Sequence, residues 1–113
     1  MKIIPQRWLV VCLAIFLAAV VQGQGSAPTV GAAVFASSGC VHCHGPAGEG
    51  TDSGPSLRGV RTKLKPKQIE RQIVMGGGQM PAFGTTLNSQ QVRDLVAFLR
   101  AKKWIDLPAS SQP

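Results

Sequence analysis

Apolar residues recur at helical spacing in three parts of this chain. The first part, residues 30–38, carries Phe35 on its apolar side and ends at Gly39. Thr29 is the predicted N-cap, because its hydroxyl can accept a hydrogen bond from a free backbone N–H of the first turn. Gly31 and Phe35 lie four positions apart and share one face. The glycine would let a second helix approach that face closely.

The second helix is predicted to begin at Pro66, a residue that suits the first helical position because its missing N–H has no intrahelical partner there. Ile69 and Ile73 then lie four apart on one face. The helix stops at the three glycines 76–78, which relax the limits on the backbone and would allow a sharp turn over a flat ligand.

The last helix has the clearest start signal. Asn88 is the predicted N-cap, Gln91 is its capping-box partner, and Leu87 with Val92 forms a hydrophobic staple. Cations are expected in the final turn, where they favour the helix dipole. The apolar face consists of Val92, Leu95, Val96, Phe98 and Leu99, and the cations are Arg100, Lys102 and Lys103.

The stretches between these helices are predicted as loops. Residues 45–64 contain five glycines and two prolines, and residues 79–84 are again loop. A loop of this length is unusual in a compact domain unless a ligand organises it. We find no convincing strand pattern, so the predicted fold is all-α, with three to four short helices and glycine-rich loops.

The first 23 residues are typical of a secretory signal peptide. Lys2 and Arg7 precede an apolar run at 8–21, and cleavage is expected near Gly23. That run is shorter than the ~20 residues that a membrane-spanning helix needs, although retention as an anchor stays open. Cys12 would leave with the signal. We therefore expect export to the periplasm, a flexible lead-in at 24–29, one domain at 30–107 and a flexible tail at 108–113.

Net charge is strongly positive. The chain has 12 Lys and Arg against 5 Asp and Glu, and loss of the signal would leave a net charge of +5. A dense group of cations could steer the protein to an acidic partner surface. Nucleic acid is an improbable target, because no stacking aromatics are interleaved with these cations. The group comprises Arg58, Arg61, Lys63, Lys65, Lys67 and Arg71, with Glu70 as the acid among them.

The five residues Cys40–His44 carry the most specific chemistry. Two cysteines three positions apart, followed at once by a histidine, form the spacing by which a haem is attached covalently. Cys40 and Cys43 would each bind one vinyl group, and His44 would be the proximal iron ligand. His42 is expected to be a solvated side chain.

Two other readings of the same residues are weaker. A zinc site would need four ligands, and the chain offers no second Cys or His pair. A thioredoxin-like redox pair would need a β-α-β pattern.

The sixth iron position has two candidate ligands, Met75 and Met80. Met75 lies in the last turn of the second helix, where a core or gap-filling methionine is expected. Met80 lies in a loop beside Pro81, which stiffens the approach. Met80 is therefore the preferred ligand.

About 90 residues with few aromatics give a marginal core. A haem would supply the missing apolar mass, so the haem-free polypeptide is expected to be largely unfolded or molten.

In order, the motifs resemble a class I, monohaem cytochrome c. The likeness is to small bacterial carriers and to cytochrome domains of oxidases, and it extends from Val30 to about residue 105. It rests on Cys40–His44 with Gly45, on 54–59 (GPSLRG), on 78–83 (GQMPAF), and on the capped last helix.

The resemblance implies a set of site residues. The Pro55 carbonyl would accept a hydrogen bond from the proximal imidazole. The haem pocket would be lined by Leu57, Ile69, Ile73 and Phe83. Gly31 and Phe35 would pack against Phe98, which stands where the family often has tyrosine.

With both axial positions filled, the expected role is one-electron transfer rather than catalysis, between periplasmic or membrane redox partners. An electron-entry subunit of a dehydrogenase or oxidase is the alternative. A ligand-binding or peroxidatic haem protein would require an open sixth position.

Overall fold

The computed structural model describes residues 25–102, which contain five helices and no strand. They are α1 (Ala27–Ser37), α2 (Cys40–His44), α3 (Val60–Lys63), α4 (Pro66–Met75) and α5 (Ser89–Leu99). The predicted all-α fold is confirmed. The short helices α2 and α3 were missed, because single turns show no hydrophobic periodicity. Within the described range, no helix is long and apolar enough to cross a membrane.

Helix α1 begins earlier than the sequence indicated. Its N-cap is Ser26, and Pro28 lies in the first turn, where a proline costs no hydrogen bond. The prediction of Thr29 as N-cap is therefore wrong, since Thr29 is itself helical and its hydroxyl meets Ser26 Oγ at 2.9 Å. Residues 27–29 of the expected flexible lead-in also belong to this helix.

Helices α1 and α5 cross at a glycine. A Cβ built on Gly31 would overlap the Asp94 carbonyl oxygen and lie 2.7 Å from Phe98 Cβ. Beside this contact, the rings of Phe35 and Phe98 pack at a centroid distance of 5.4 Å, and each residue is 1 % exposed. This is the packing that the cytochrome resemblance implied, and it forms the centre of the core.

Helices α4 and α5 begin where predicted. Asn88 Oδ1 accepts from the Gln91 backbone N–H, and Gln91 Oε1 accepts from the Asn88 N–H, each at 2.9 Å. Helix α4 starts at Pro66 and ends before Gly76, which has a φ of 67°.

The end of α5 differs from expectation. It ends at Leu99 with Arg100 as C-cap, so Arg100 and Lys102 follow the last turn instead of occupying it. Lys103, the signal segment 1–23 and the tail 108–113 lie outside the described residues.

Candidate functional site

Helix α2 presents three reactive side chains in one turn. Cys40, Cys43 and His44 are at positions i, i+3 and i+4, so they share a face. The turn is bounded by Gly39 and Gly45, whose φ angles of 79° and 83° suit glycine. All three side chains line one cavity, whereas His42 is exposed and does not.

His44 is held in one tautomer. The residue is 8 % exposed, and its Nδ1 lies 2.7 Å from the Pro55 carbonyl oxygen. Because a carbonyl can only accept, Nδ1 carries the proton, and in the neutral imidazole the lone pair is then on Nε2. This is the form in which an imidazole binds a metal through Nε2, with its orientation fixed by the other nitrogen. The structure thus contains the His44–Pro55 hydrogen bond that the resemblance implied.

Two further hydrogen bonds tie the following loop to α2. Gly50 N–H donates to the His44 carbonyl at 2.8 Å, and Thr51 Oγ1 donates to the Cys43 carbonyl at 2.6 Å. They use backbone oxygens that the end of a helix leaves without intrahelical partners. The loop that carries Pro55 is therefore anchored to the turn that carries His44.

The cavity has a volume of about 860 Å³ and a largely apolar wall. This lies in the upper part of the roughly 300–1,000 Å³ range of ligand sites. The residues expected from the resemblance to line a pocket are all in this wall: Pro55, Leu57, Ile69, Ile73 and Phe83.

The two methionines have different surroundings. Met80 is half-buried and lines the cavity, whereas Met75 is 66 % exposed and lines a separate surface depression. The expected core or gap-filling role of Met75 is wrong. Two residues after Ile73, the helix has turned by about 200°, so Met75 points away from the buried face.

Glycines shape the loop that brings Met80 to the cavity. Gly76, Gly77 and Gly78 all have positive φ, and a Cβ on Gly76 would lie 2.6 Å from the Met80 carbonyl oxygen. Gly77 and Met80 exchange two backbone hydrogen bonds, at 3.0 and 3.1 Å. The run of glycines therefore makes a tight turn, with a backbone that favours glycine at all three positions and no room for a side chain at Gly76.

The far end of this loop is fixed on α4. Phe83 N–H donates to the Ile73 carbonyl at 3.0 Å, and Gly84 N–H donates to the Val74 carbonyl at 3.1 Å. The loop is thus pinned on both sides of Met80.

Sequence reasoning missed several lining residues. Phe35, Leu95 and Leu99 were placed on apolar helix faces, but periodicity does not distinguish a core contact from a cavity wall. Gln72 had a usable signal, since it lies three residues after Ile69 and one before Ile73, at the edge of the buried face of α4. No signal marked Thr51 as a lining residue.

The donor set fits a haem better than a protein-bound metal ion. A haem needs an apolar slot, two thiols and axial donors, and the cavity wall supplies them. Among residues 25–102 no group of three or more His, Cys, Asp or Glu side chains could hold a metal ion. Zinc therefore finds no support there, and the described part has no strand for a thioredoxin-like arrangement.

Cys40 and Cys43 are free thiols in this structure. Burial raises the pKa of the Cys40 thiol to about 11, so a free Cys40 in this fold stays protonated at neutral pH.

The predicted cation group is on the surface. All six of its members are exposed, and Lys67 is paired with Glu70 at 2.8 Å. Lys63 also lines the cavity, so the charged surface reaches the cavity rim.

Comparison with known proteins agrees with the site. The family model described as "Cytochrome C oxidase, cbb3-type, subunit III" matches residues 26–99. The menaquinol:cytochrome c reductase cytochrome c subunit of Bacillus subtilis (strain 168) is 41% identical over 66 residues, which are 58% of this chain and 25% of that protein. The chain thus spans about a quarter of the length of this relative. No solved structure matches.

Proposed function

The chain belongs to the family of cytochrome c oxidase, cbb3-type, subunit III, and is a monohaem cytochrome c and an electron carrier. From this premise we propose that it carries one covalent haem c, with His44 and Met80 as the axial ligands of the iron. One observation carries the proposal: both cysteines, His44 and Met80 line the same apolar cavity.

The two cysteines make the attachment. Each thiol would hold the haem through one vinyl group, with a carbon–sulfur bond to one vinyl carbon and the thiol hydrogen on the other. Because Cys40 and Cys43 are fixed in one helical turn with His44, two such bonds would hold the haem next to the proximal imidazole.

The bound haem supplies one-electron exchange between Fe(III) and Fe(II). His44 contributes Nε2, and the Pro55 carbonyl prevents the imidazole from rotating. Met80 contributes a thioether, which favours the ferrous state and raises the reduction potential. Buried side chains such as Ile69 and Ile73 keep water from the ring faces.

With both axial positions held by side chains, no coordination site stays open for a substrate. The protein therefore transfers electrons without catalysing a reaction of its own. Its partners are redox proteins, reached from the periplasm after export directed by residues 1–23. The exposed cations near the cavity rim favour an acidic docking surface, through a small and short-lived interface.

The comparisons favour a second candidate. The matching family is a subunit of an oxidase, and the relative is a subunit of a menaquinol:cytochrome c reductase. This chain could equally be the electron-entry subunit of such a complex. Purification from membranes and from the soluble fraction separates the two: a free monomer supports the carrier, and tight association with a catalytic subunit supports the complex.

Carbon monoxide tests the proposed ligation. The reduced protein is expected to bind carbon monoxide very slowly or not at all at neutral pH, since Met80 occupies the sixth position. Rapid binding would overturn that ligation and favour a ligand-binding haem protein. Intact mass of the purified protein, with one haem and without residues 1–23, checks attachment and signal cleavage together.

A further inference from the structure

The side chain of Gln72 is hydrogen-bonded to the sulfur of Met80. Gln72 Nε2 donates to Met80 Sδ at 3.7 Å, and both residues line the cavity. A thioether sulfur is a weak hydrogen-bond acceptor. An amide N–H can therefore hold the sulfur in place only if the amide itself is held in a fixed position.

The donor comes from a well-fixed element. Gln72 lies on α4 between the buried residues Ile69 and Ile73, and the first turn of that helix is capped by Gln68 Oε1, which accepts from the Lys65 N–H at 2.8 Å. The acceptor belongs to the glycine-rich loop. The hydrogen bond therefore holds a loop sulfur against a packed helix.

Gln72 is an exposed residue at the edge of the cavity. Its side chain borders both the cavity and a surface depression of about 340 Å³ that Arg71 and Met75 help to form. The amide is thus in a position to orient the sulfur at the cavity edge.

A thioether sulfur has two lone pairs. An N–H group bonded to one of them leaves the other for a metal, and it withdraws electron density from the sulfur. We propose that Gln72 is a positioning residue for Met80: it occupies one lone pair of Sδ and so selects the other for the haem iron. This inference rests on the proposed His44/Met80 ligation.

Three variants of the haem-loaded protein test it. Gln72→Leu removes the donor and keeps the approximate bulk. Gln72→Glu keeps the shape and polarity, but an ionised carboxylate can only accept. Gln79→Leu is the matched control, because Gln79 precedes Met80 and lines the cavity, yet in the described part of the chain it makes no hydrogen bond to the sulfur.

Imidazole competes with Met80 for the ferric iron and reports how well the sulfur is held. The net contribution of one hydrogen bond corresponds to about a two- to tenfold change in an equilibrium constant. We expect the imidazole Kd to fall by about that factor in both Gln72 variants and to stay unchanged in Gln79→Leu.

The reduction potential distinguishes a lost donor from a less polar wall. A more apolar wall disfavours the extra charge of the ferric state and raises the potential, whereas loss of the N–H returns electron density to the sulfur and lowers it. Both Leu variants make the wall more apolar, so the lost donor shows in their difference. We expect a lower potential in Gln72→Leu than in Gln79→Leu.

An unchanged imidazole Kd in the two Gln72 variants, or an equal change in Gln79→Leu, would overturn the role of Gln72. So would a potential in Gln72→Leu that is equal to or higher than that in Gln79→Leu. The near-infrared thioether-to-iron band of the oxidised wild type separates this failure from that of the proposed function: the band reports Met80 ligation whatever Gln72 does.

Discussion

Replacement of Gly31 by alanine should destabilise the protein by forcing α1 and α5 apart. The new Cβ would lie 2.6 Å from the Asp94 carbonyl carbon and 2.7 Å from Phe98 Cβ. Carbon atoms pack at about 3.5–4.0 Å, so the helices would have to separate by roughly 1 Å. The contact is with backbone, which has no rotamer by which to withdraw.

The magnitude follows from two opposing effects. Overpacking of this kind costs about 1–3 kcal/mol, occasionally more, and a backbone clash belongs at the upper end. Alanine favours a helix over glycine by about 1 kcal/mol. The net loss should therefore be about 2 kcal/mol, which corresponds to a decrease in Tm of roughly 8–16 °C for a domain of this size.

Urea unfolding of the haem-loaded protein measures the loss. Gly25→Ala is the matched control, because a Cβ there would meet Val30 Cγ2 at 3.5 Å, an ordinary contact. A change within about 0.5 kcal/mol is expected for it. If Gly31→Ala unfolds at the same urea concentration as the wild type and Gly25→Ala, the close crossing of α1 and α5 is not as described.

Three other predictions concern the cap, the cofactor and the charged surface. Asn88→Ala should lower the free energy of unfolding, measured in urea, by about 1 kcal/mol because it removes the N-cap of α5. Thr29→Ala removes no cap, so its change should stay within about 0.5 kcal/mol. Equal losses in the two variants would contradict the assignment of the caps. The haem-free polypeptide should be largely unfolded or molten, and a native-like circular dichroism spectrum with cooperative melting would refute this. Arg61→Glu should slow electron transfer to an acidic redox partner several-fold at low salt, and the difference should shrink as salt rises. Arg93→Glu, outside the cation group, is its control, and an equal effect of both changes would argue against docking through that group.

Local signals explain what the sequence predicted well. The capping box of Asn88 and Gln91 and the proline start at Pro66 depend on residues within one turn, so the predicted starts of α4 and α5 agree with the structure. The spacing of Cys40–His44 likewise requires one turn to bring its side chains together. These parts of the fold and of the candidate site follow from neighbouring residues.

Other features depend on contacts between distant parts of the chain. Pro28 suits either a loop or a first helical turn, and the packing of α1 on α5 accompanies the second outcome. The hydrogen bond from Gln72 to Met80 depends on where the loop closes eight residues later. Spacing along the sequence does not contain that information.

The most direct test of the account compares Met80→Ala with Met75→Ala in the oxidised, haem-loaded protein. The measurement is the near-infrared absorption band of a thioether bound to ferric haem. Because Met80 lines the cavity and Met75 is on the surface, the band should disappear in Met80→Ala and persist in Met75→Ala. A band that survives in Met80→Ala and is lost in Met75→Ala would contradict His44/Met80 ligation.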